Sequence, residues 1–404
     1  MDKKLNVCLI SREFPPDTAF GGIGTFSLDT ALMLRQRGHR VTVLSQSLSG
    51  THAFDHQGIE VHKLKVPPPF GSYRCLPAFI LGFNFVVLRE LRRLHRQQPF
   101  DLVDAPDHLA EGLFACLFTR LPVVTRLHTP FALLVDLGLN NYRKNLSYRL
   151  IWLMEKMALS RSTVFYAPCM DLVQRCNTLF SLKPLPVRIF GYPLDLSLFS
   201  PAAGNRPDGS LRLLFLGRLE QRKGIATIVD ALPRVLARYP DTTLTLVGRD
   251  TPNINGYRSA RQYMEESFAR AGCLDRVRFH DYVTLDRLPA FFHDHDIVWV
   301  PSLYDNYPLI CLEAMACSRT VVVADAGGLP EMVKDGQTGL VFPAGDAAAL
   351  AARTIELCAS AELRQSLGRR ARESVVAECS ADTIYARTME LYRFALGLGK
   401  GISI

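Results

Sequence analysis

A chain of 404 residues exceeds what one hydrophobic core usually organises, so two domains of roughly 200 residues each are the default expectation. Hydrophobic residues make up 48% and charged residues 21%, with no low-complexity tract, which excludes a disordered or fibrous chain. The net charge of +8 lies in the first half, because residues 1–200 hold 23 Lys+Arg against 15 Asp+Glu and the remainder holds 24 of each. Such asymmetry suits either an anionic partner for the first domain, a membrane surface or a charged acceptor, or simply a solvated basic surface.

The N-terminus reads as a buried strand, Leu5 to Ser11, then a Pro/Gly-rich loop through Gly24 and a helical segment from Thr25 to Arg37 that Gly38 stops. Val41 to Leu44 is the next strand. The apolar window Leu76 to Leu88 contains Gly82 and Asn84 and falls short of the ~20 residues needed to span a bilayer, so it is expected to be a buried helix. Arg89 to Arg96 and Tyr142 to Lys156 mix basic with large apolar residues, as surface membrane-binding helices and ordinary amphipathic helices both do. The aperiodic segment Phe190 to Pro201 is the candidate linker.

The same pattern restarts with strand Arg212 to Leu216, loop Gly217 to Gly224, helix Ile225 to Tyr239 and strand Thr243 to Val247. Further strands are expected near Val277 to Phe279, Ile297 to Val300, Thr320 to Val323 and Gly339 to Phe342. Both halves are therefore predicted to be doubly wound α/β domains, and ligands of such sheets bind beyond the carboxyl ends of the strands.

Two constellations stand at those ends. Gly217-Arg-Leu-Glu-Gln-Arg-Lys-Gly224 puts cations, Arg218 and Lys223 foremost, before a helix N-terminus, where a diphosphate would bind. A solvated basic turn would look the same. In Pro301 to Ala316 two acids lie eight positions apart, Asp305 in a loop and Glu313 in a helix-forming run, where a carboxylate can accept hydrogen bonds from two ribose hydroxyls. The exposed loop amides around Asn306 to Ile310, a stretch that also holds Tyr307, Pro308 and Leu309, could receive phosphate or sugar oxygens.

Taken together, Pro301-Ser302, Asp305, Glu313-Ala-Met-Ala-Cys, Gly327-Gly328-Leu-Pro330-Glu331 and Asp335-Gly-Gln-Thr-Gly339 resemble the signature of the retaining family 4 glycosyltransferases. Gly217-Arg218-Leu219 with Lys223-Gly224, the N-terminal Gly21-Gly22-Ile23, Arg37-Gly38-His39 and His128 match as well. The resemblance implies the GT-B fold, two Rossmann-like domains facing each other across a cleft. Residues 1–195 would form the acceptor-side domain, residues 196–379 the nucleotide-sugar domain, and a C-terminal helix near 380–398 would return to the first. It further implies transfer of a sugar from a nucleoside-diphosphate donor, UDP or GDP, to a hydroxyl-bearing acceptor of glycan, glycolipid or natural-product type, with retention of configuration. By it, Arg218 and Lys223 neutralise the diphosphate, Asp305 contacts the donor sugar, Glu313 holds the ribose, Gly21 and Gly22 let the first loop approach the substrates, and His128 lies beside the reacting carbon. No cofactor and no metal are expected, the cations taking the metal's electrostatic role, and nucleic acid is not an expected partner. Two positions depart from the pattern: Asp305 stands where Glu is usual, and Ser318 where Gly is usual.

Other readings carry different requirements. A non-catalytic nucleotide-sugar or glycan-binding relative would bind donor without turnover, and a sugar-nucleotide epimerase or phosphorylase on the same scaffold would show another activity. His293-Asp294-His295-Asp296 looks like a metal cluster, but it precedes a strand and its alternate residues point to opposite faces, so a polar strand entrance is the plainer explanation. A dehydrogenase fingerprint fails on spacing, since Ser27 stands where the third glycine would. The ten cysteines form no Cys-x-x-Cys pair, several sit in apolar runs, and no apolar leader precedes them, which suggests a reducing cytoplasm, with peripheral attachment at the inner membrane face a further expectation.

Overall fold

The computed structural model describes residues 3–16, 18, 22–71, 73, 75–139, 142–182, 187–202, 210–254 and 256–397. The chain divides into two units, Met1–Pro193 with Ala381–Ile404, and Leu194–Ser380.

The first unit opens with β1 (Asn6–Ile10), α1 (Gly22–Gln36), β2 (Arg40–Ser47), β3 (His52–His56), β4 (Ile59–Lys65), α2 (Leu76–Gln97), β5 (Leu102–Pro106) and α3 (Leu113–Phe118). It continues through β6 (Val123–Arg126), α4 (Phe131–Asp136), α5 (Leu146–Arg161), β7 (Val164–Ala167), α6 (Met170–Phe180) and β8 (Val187–Ile189). Val7 to Ile10 are wholly buried, the continuous apolar run of a strand covered on both faces. Among the described residues the sheet runs β3-β4-β2-β1-β5-β6-β7-β8, parallel except for the β3–β4 hairpin. Its central order is that of a doubly wound sheet, whose strand order reverses between β1 and β5. α1 begins three residues earlier than the expected Thr25, at Gly22, and ends before Gly38, whose φ of +82° lets the chain leave the helix without a Cβ clash.

Leu76 to Leu88 and Arg89 to Arg96 are not two segments, as the sequence suggested, but one helix, α2. It is not buried all round: Phe79, Phe83, Val87, Leu91 and Leu94 line the sheet, while Leu81 and Phe85 are exposed. An amphipathic period continues through both stretches, and the apolar residues of its first half fall on both faces.

The second unit is built from β9 (Arg212–Leu216), α7 (Ile225–Leu236), β10 (Thr243–Val247), the hairpin β11 (Pro252–Ile254) and β12 (Tyr257–Ser259), α8 (Ala260–Arg270), β13 (Val277–His280), α9 (Leu288–Asp294) and β14 (Ile297–Val300). α10 (Leu309–Ala316), β15 (Thr320–Ala324), α11 (Leu329–Met332), β16 (Leu340–Phe342), α12 (Ala347–Ala359) and α13 (Ala361–Cys379) complete it. The parallel sheet β13-β10-β9-β14-β15-β16 has the Rossmann order, with its reversal between β9 and β14. Trp299 and Phe215 centre its core, and the Trp299 indole N–H is satisfied by the Thr354 hydroxyl at 2.9 Å.

The final helix, α14 (Ala381–Ala395), belongs to the first unit. There the Tyr392 hydroxyl donates to Asp104 Oδ2 at 2.5 Å, Arg188 donates to Glu390 at 2.7 Å, and the Tyr385 hydroxyl is 2.9 Å from His39 Nε2.

Candidate functional site

In the second unit the strand order reverses between β9 and β14, so the loops leaving these neighbours diverge and open a crevice at their carboxyl ends. The β9 loop carries Arg218, a short 3-10 turn over Gln221–Lys223 and Gly224, and leads into α7. The β14 loop runs from Pro301 to Pro308 and leads into α10. Leu303 N–H donates to Arg222 O at 2.8 Å, stitching the two loops together.

That stitching brings together cations and acids distant in sequence. Lys223 Nζ donates to Asp305 Oδ2 at 2.5 Å. Arg222 lies 3.7 Å from the same oxygen, donates to Tyr304 O at 3.2 Å and pairs with Glu220 at 2.8 Å. Asp305 is buried, and although burial alone would raise its pKa, the charges of Lys223 and Arg222 hold it below the ordinary carboxylate value. Arg218 is largely exposed, 3.3 Å from Glu220. Asp305 and Glu220 thus offset two of the three cationic charges of the turn, those of Arg218, Arg222 and Lys223. An incoming dianion must compete with these carboxylates for the cations.

Two glycines make this approach possible. Gly224 has φ of +76°, and a Cβ there would come within 1.9 Å of Pro301 O; at Gly327, φ +59°, a Cβ would meet Asp305 O at 2.1 Å. Gly328 N–H, next in the chain, donates to Asp305 O at 2.9 Å, so the loop after β15 fixes the backbone of the acid. Arg222, Gly224, Gly327 and Gly328 stood inside the expected motifs but were assigned no role of their own. The basic turn and the double glycine were visible signals, but their common target, the Asp305 loop, is a long-range contact.

Asn306 Oδ1 accepts the Tyr307 amide at 2.9 Å, and the Tyr307 hydroxyl is 3.3 Å from Cys379 Sγ. Pro308 is the N-cap of α10, and Leu309 and Ile310 begin that helix, packed in part against the core. Pro308 O accepts the amides of Cys311 and Leu312, and helix geometry leaves the first amides without intrahelical acceptors. Glu313 is buried one turn further on.

In the first unit His128 follows β6 and is buried. Its amide donates to Asp107 Oδ1 at 2.9 Å, its Nδ1 lies 3.0 Å from the Tyr192 hydroxyl, and its ring stands edge-on to Phe26 at 5.1 Å. Burial, then the nearby Arg126 and His108, hold its pKa well below the usual value, so the imidazole is neutral at pH 7. Glu155, wholly buried, accepts the amides of Leu109, Phe131 and Ala132 and thereby fixes the start of α4 behind His128. Gly22 is the first residue of α1, and a Cβ there would touch nothing. Gly21 lies outside the described residues.

The His293–Asp296 segment is occupied with the fold. His293 is 2.7 Å from Ser200 O, His295 is 2.7 Å from both Phe291 O and Thr245 Oγ1, and Asp296 accepts the Arg212 amide at 2.9 Å. Ser318, where glycine was expected, has φ of +57°, so the position is left-handed even with a side chain.

Comparison with known proteins adds to this geometry. Residues 199–374 match the family described as glycosyl transferases group 1, and residues 20–198 match glycosyltransferase family 4. The chain is 26% identical over 405 residues to a protein named glycogen synthase of Mycobacterium tuberculosis, covering 96% of this chain and 94% of the relative. A sucrose-phosphate synthase structure from Thermosynechococcus elongatus superposes with a TM-score of 0.81 at 22% identity, over 98% of this chain and all of the other. Anabaena HepE in complex with UDP-glucose gives 0.70 at 19% identity, covering 96% and 99%. At these identities the two structures establish the fold, the two-domain GT-B arrangement of Rossmann-like units.

Proposed function

The chain belongs to the group 1, family 4 glycosyltransferases, and from that premise we propose that it is a retaining enzyme moving a sugar from UDP or GDP to a hydroxyl-bearing acceptor. The observation that carries the donor assignment is the Lys223–Asp305 pair with Arg222, at the strand-order reversal of the second sheet.

In this reading the donor diphosphate draws Lys223, Arg222 and the exposed Arg218 away from their carboxylate partners. Asp305, so released, accepts hydroxyls of the donor sugar; Glu313 accepts the ribose hydroxyls, and the first amides of α10 face donor oxygens. The bond between the anomeric carbon and the phosphate oxygen breaks, the acceptor oxygen bonds on the same face, and its proton passes to the departing phosphate. Once drawn onto the diphosphate, these cations stand where negative charge develops and lower that barrier. They take the electrostatic role of a metal, so no metal is required. His128 serves as a neutral hydrogen-bonding group. The shorter Asp305, already engaged with Lys223, makes this position the first determinant of donor choice. A reducing cytoplasmic setting suits the cysteines, eight of which are buried, with the thiols of Cys8, Cys311 and Cys317 pushed up by burial.

A thermal-shift panel of UDP-, GDP-, ADP- and TDP-sugars tests the donor. A ligand at 100 times its Kd adds about 2.7 kcal/mol, so one member should raise the melting transition clearly, and silence across the panel would overturn the proposal. With the donor known, slow donor hydrolysis that vanishes in Lys223→Ala, and a product whose anomeric configuration by NMR equals that of the donor, are the expected results.

A further inference from the structure

α2, α3 and α5 lie side by side on the first unit. They share a buried cluster that includes Ile80, Leu113, Ile151 and Met154, and Arg92 of α2 donates to Phe118 O at the end of α3 at 2.8 Å. Their outward faces are not those of an ordinary solvated layer. α5 exposes Leu146, Leu150, Leu153 and Met157, spaced 4, 3 and 4 residues apart, so they form one stripe opposite its buried side. Leu146 is 72% exposed, and on the two helices packed with α5, Phe85 of α2 and Phe118 of α3 are 60% and 51% exposed. Large apolar side chains clustered on neighbouring helices mark an interaction surface, whereas scattered ones would not.

The charges on these helices select the partner. α2 carries Arg89, Arg92, Arg93 and Arg96, and α5 carries Arg149, Lys156 and Arg161. Of their two acids, Glu155 is buried on backbone amides, and Glu90, mostly covered, bridges His62 and Arg93 and offsets the charge of Arg93, leaving the other cations of the face. A stripe of Leu, Met and Phe flanked by Arg and Lys, with no exposed acid on the three helices, matches a lipid surface of net negative charge. The apolar tips enter the headgroup boundary while the long basic side chains reach phosphates. A second copy meeting the same face would set cationic flank against cationic flank. We propose that the α2–α3–α5 face docks this protein, without spanning, onto anionic bilayers; no helix among the described residues is long and apolar enough to cross one.

Full-length protein sedimented with vesicles of equimolar phosphatidylcholine and phosphatidylglycerol, against phosphatidylcholine alone, tests this. Binding is expected to the anionic vesicles only, and it should weaken as salt rises from ~0.1 M to ~1 M, which shortens the screening length from about 10 Å to 3 Å. Leu150→Ser with Leu153→Ser, and separately Arg89→Glu with Arg149→Glu, should each lower vesicle affinity by at least about tenfold. All four are surface positions, so folding is checked by an unchanged melting transition and an unchanged shift with nucleotide sugar, a readout independent of lipid. No sedimentation with anionic vesicles, or variants that bind like the parent, would overturn the proposal. So would a dimer that the serine variants dissolve while vesicles have no effect, since the face would then be a protein interface.

Discussion

Removing Lys223 should separate stability from activity in a way that only a coupled pair allows. Its ammonium is the closest counter-charge to Asp305, at 2.5 Å, on a carboxylate that is 8% exposed. Deleting one partner of a buried pair costs about 3–5 kcal/mol, because the remaining charge is left desolvated. Here Arg222 at 3.7 Å and the Ser302 hydroxyl at 3.5 Å stay behind, so Lys223→Ala should cost less, roughly 2–3 kcal/mol. For a domain of this size that is about 5–10 °C in Tm. Asp305→Asn in the Lys223→Ala background removes the stranded charge and should recover at least about half of the loss, while transfer stays abolished. The pH dependence has a definite sign. Asp305 is held below its ordinary value in the fold, so the pair's contribution is complete above that ordinary value, 3.8, and is lost as pH falls through the lower folded value. In Lys223→Ala burial dominates and the folded pKa rises, so protonating Asp305 relieves the stranded charge and the variant's deficit should shrink as pH falls through that raised value. Urea unfolding of the parent, both single variants and the double variant at several pH values reads all of this. Additive costs in the double variant would show that the two residues do not couple, and the reasoning would fail.

Gly224→Ala should destabilise by more than about 2 kcal/mol, since a Cβ meets Pro301 O at 1.9 Å in a left-handed conformation, whereas Gly22→Ala should leave Tm unchanged and lower kcat/KM if substrate approaches that residue; equal Tm values for the two would contradict the packing argument. His128 is neutral in the fold and gains a proton on unfolding, so below about pH 6.5 the parent should lose up to about 1.4 kcal/mol per pH unit that His128→Gln does not; parallel pH–stability curves would refute its depressed pKa. Ser318→Gly should raise stability by about 1 kcal/mol, because φ of +57° strains any side chain and not glycine, and a fall in the denaturation midpoint would show that the serine earns its place by contacts instead.

The strands of both sheets were legible because each is a short apolar run closed by turn residues, and several, such as Thr243–Val247 and Ile297–Val300, coincide with the expectation to the residue. The hairpin of β3 and β4 passed unnoticed, its outer strand being polar and mostly exposed at the sheet edge. The α2 segment was misjudged because hydrophobicity counts apolar residues without saying which way they face. Leu81 and Phe85 contribute as much to the window as Phe79 and Phe83, yet lie outside.

What local sequence determined is what local geometry fixes: two alternating α/β patterns, a basic turn after β9, acids eight apart after β14, and two separate basic-apolar helical segments. The family resemblance supplied roles for those residues. Only the tertiary structure decided their partners. Lys223 meets Asp305 across 82 residues, Gly327 passes beneath the Asp305 backbone, α14 returns its Tyr392 to Asp104, and the leucines of α5 remain uncovered. Each of these is settled by which strands neighbour which in the sheets, and strand order is a property of the whole unit's packing that no window of sequence contains.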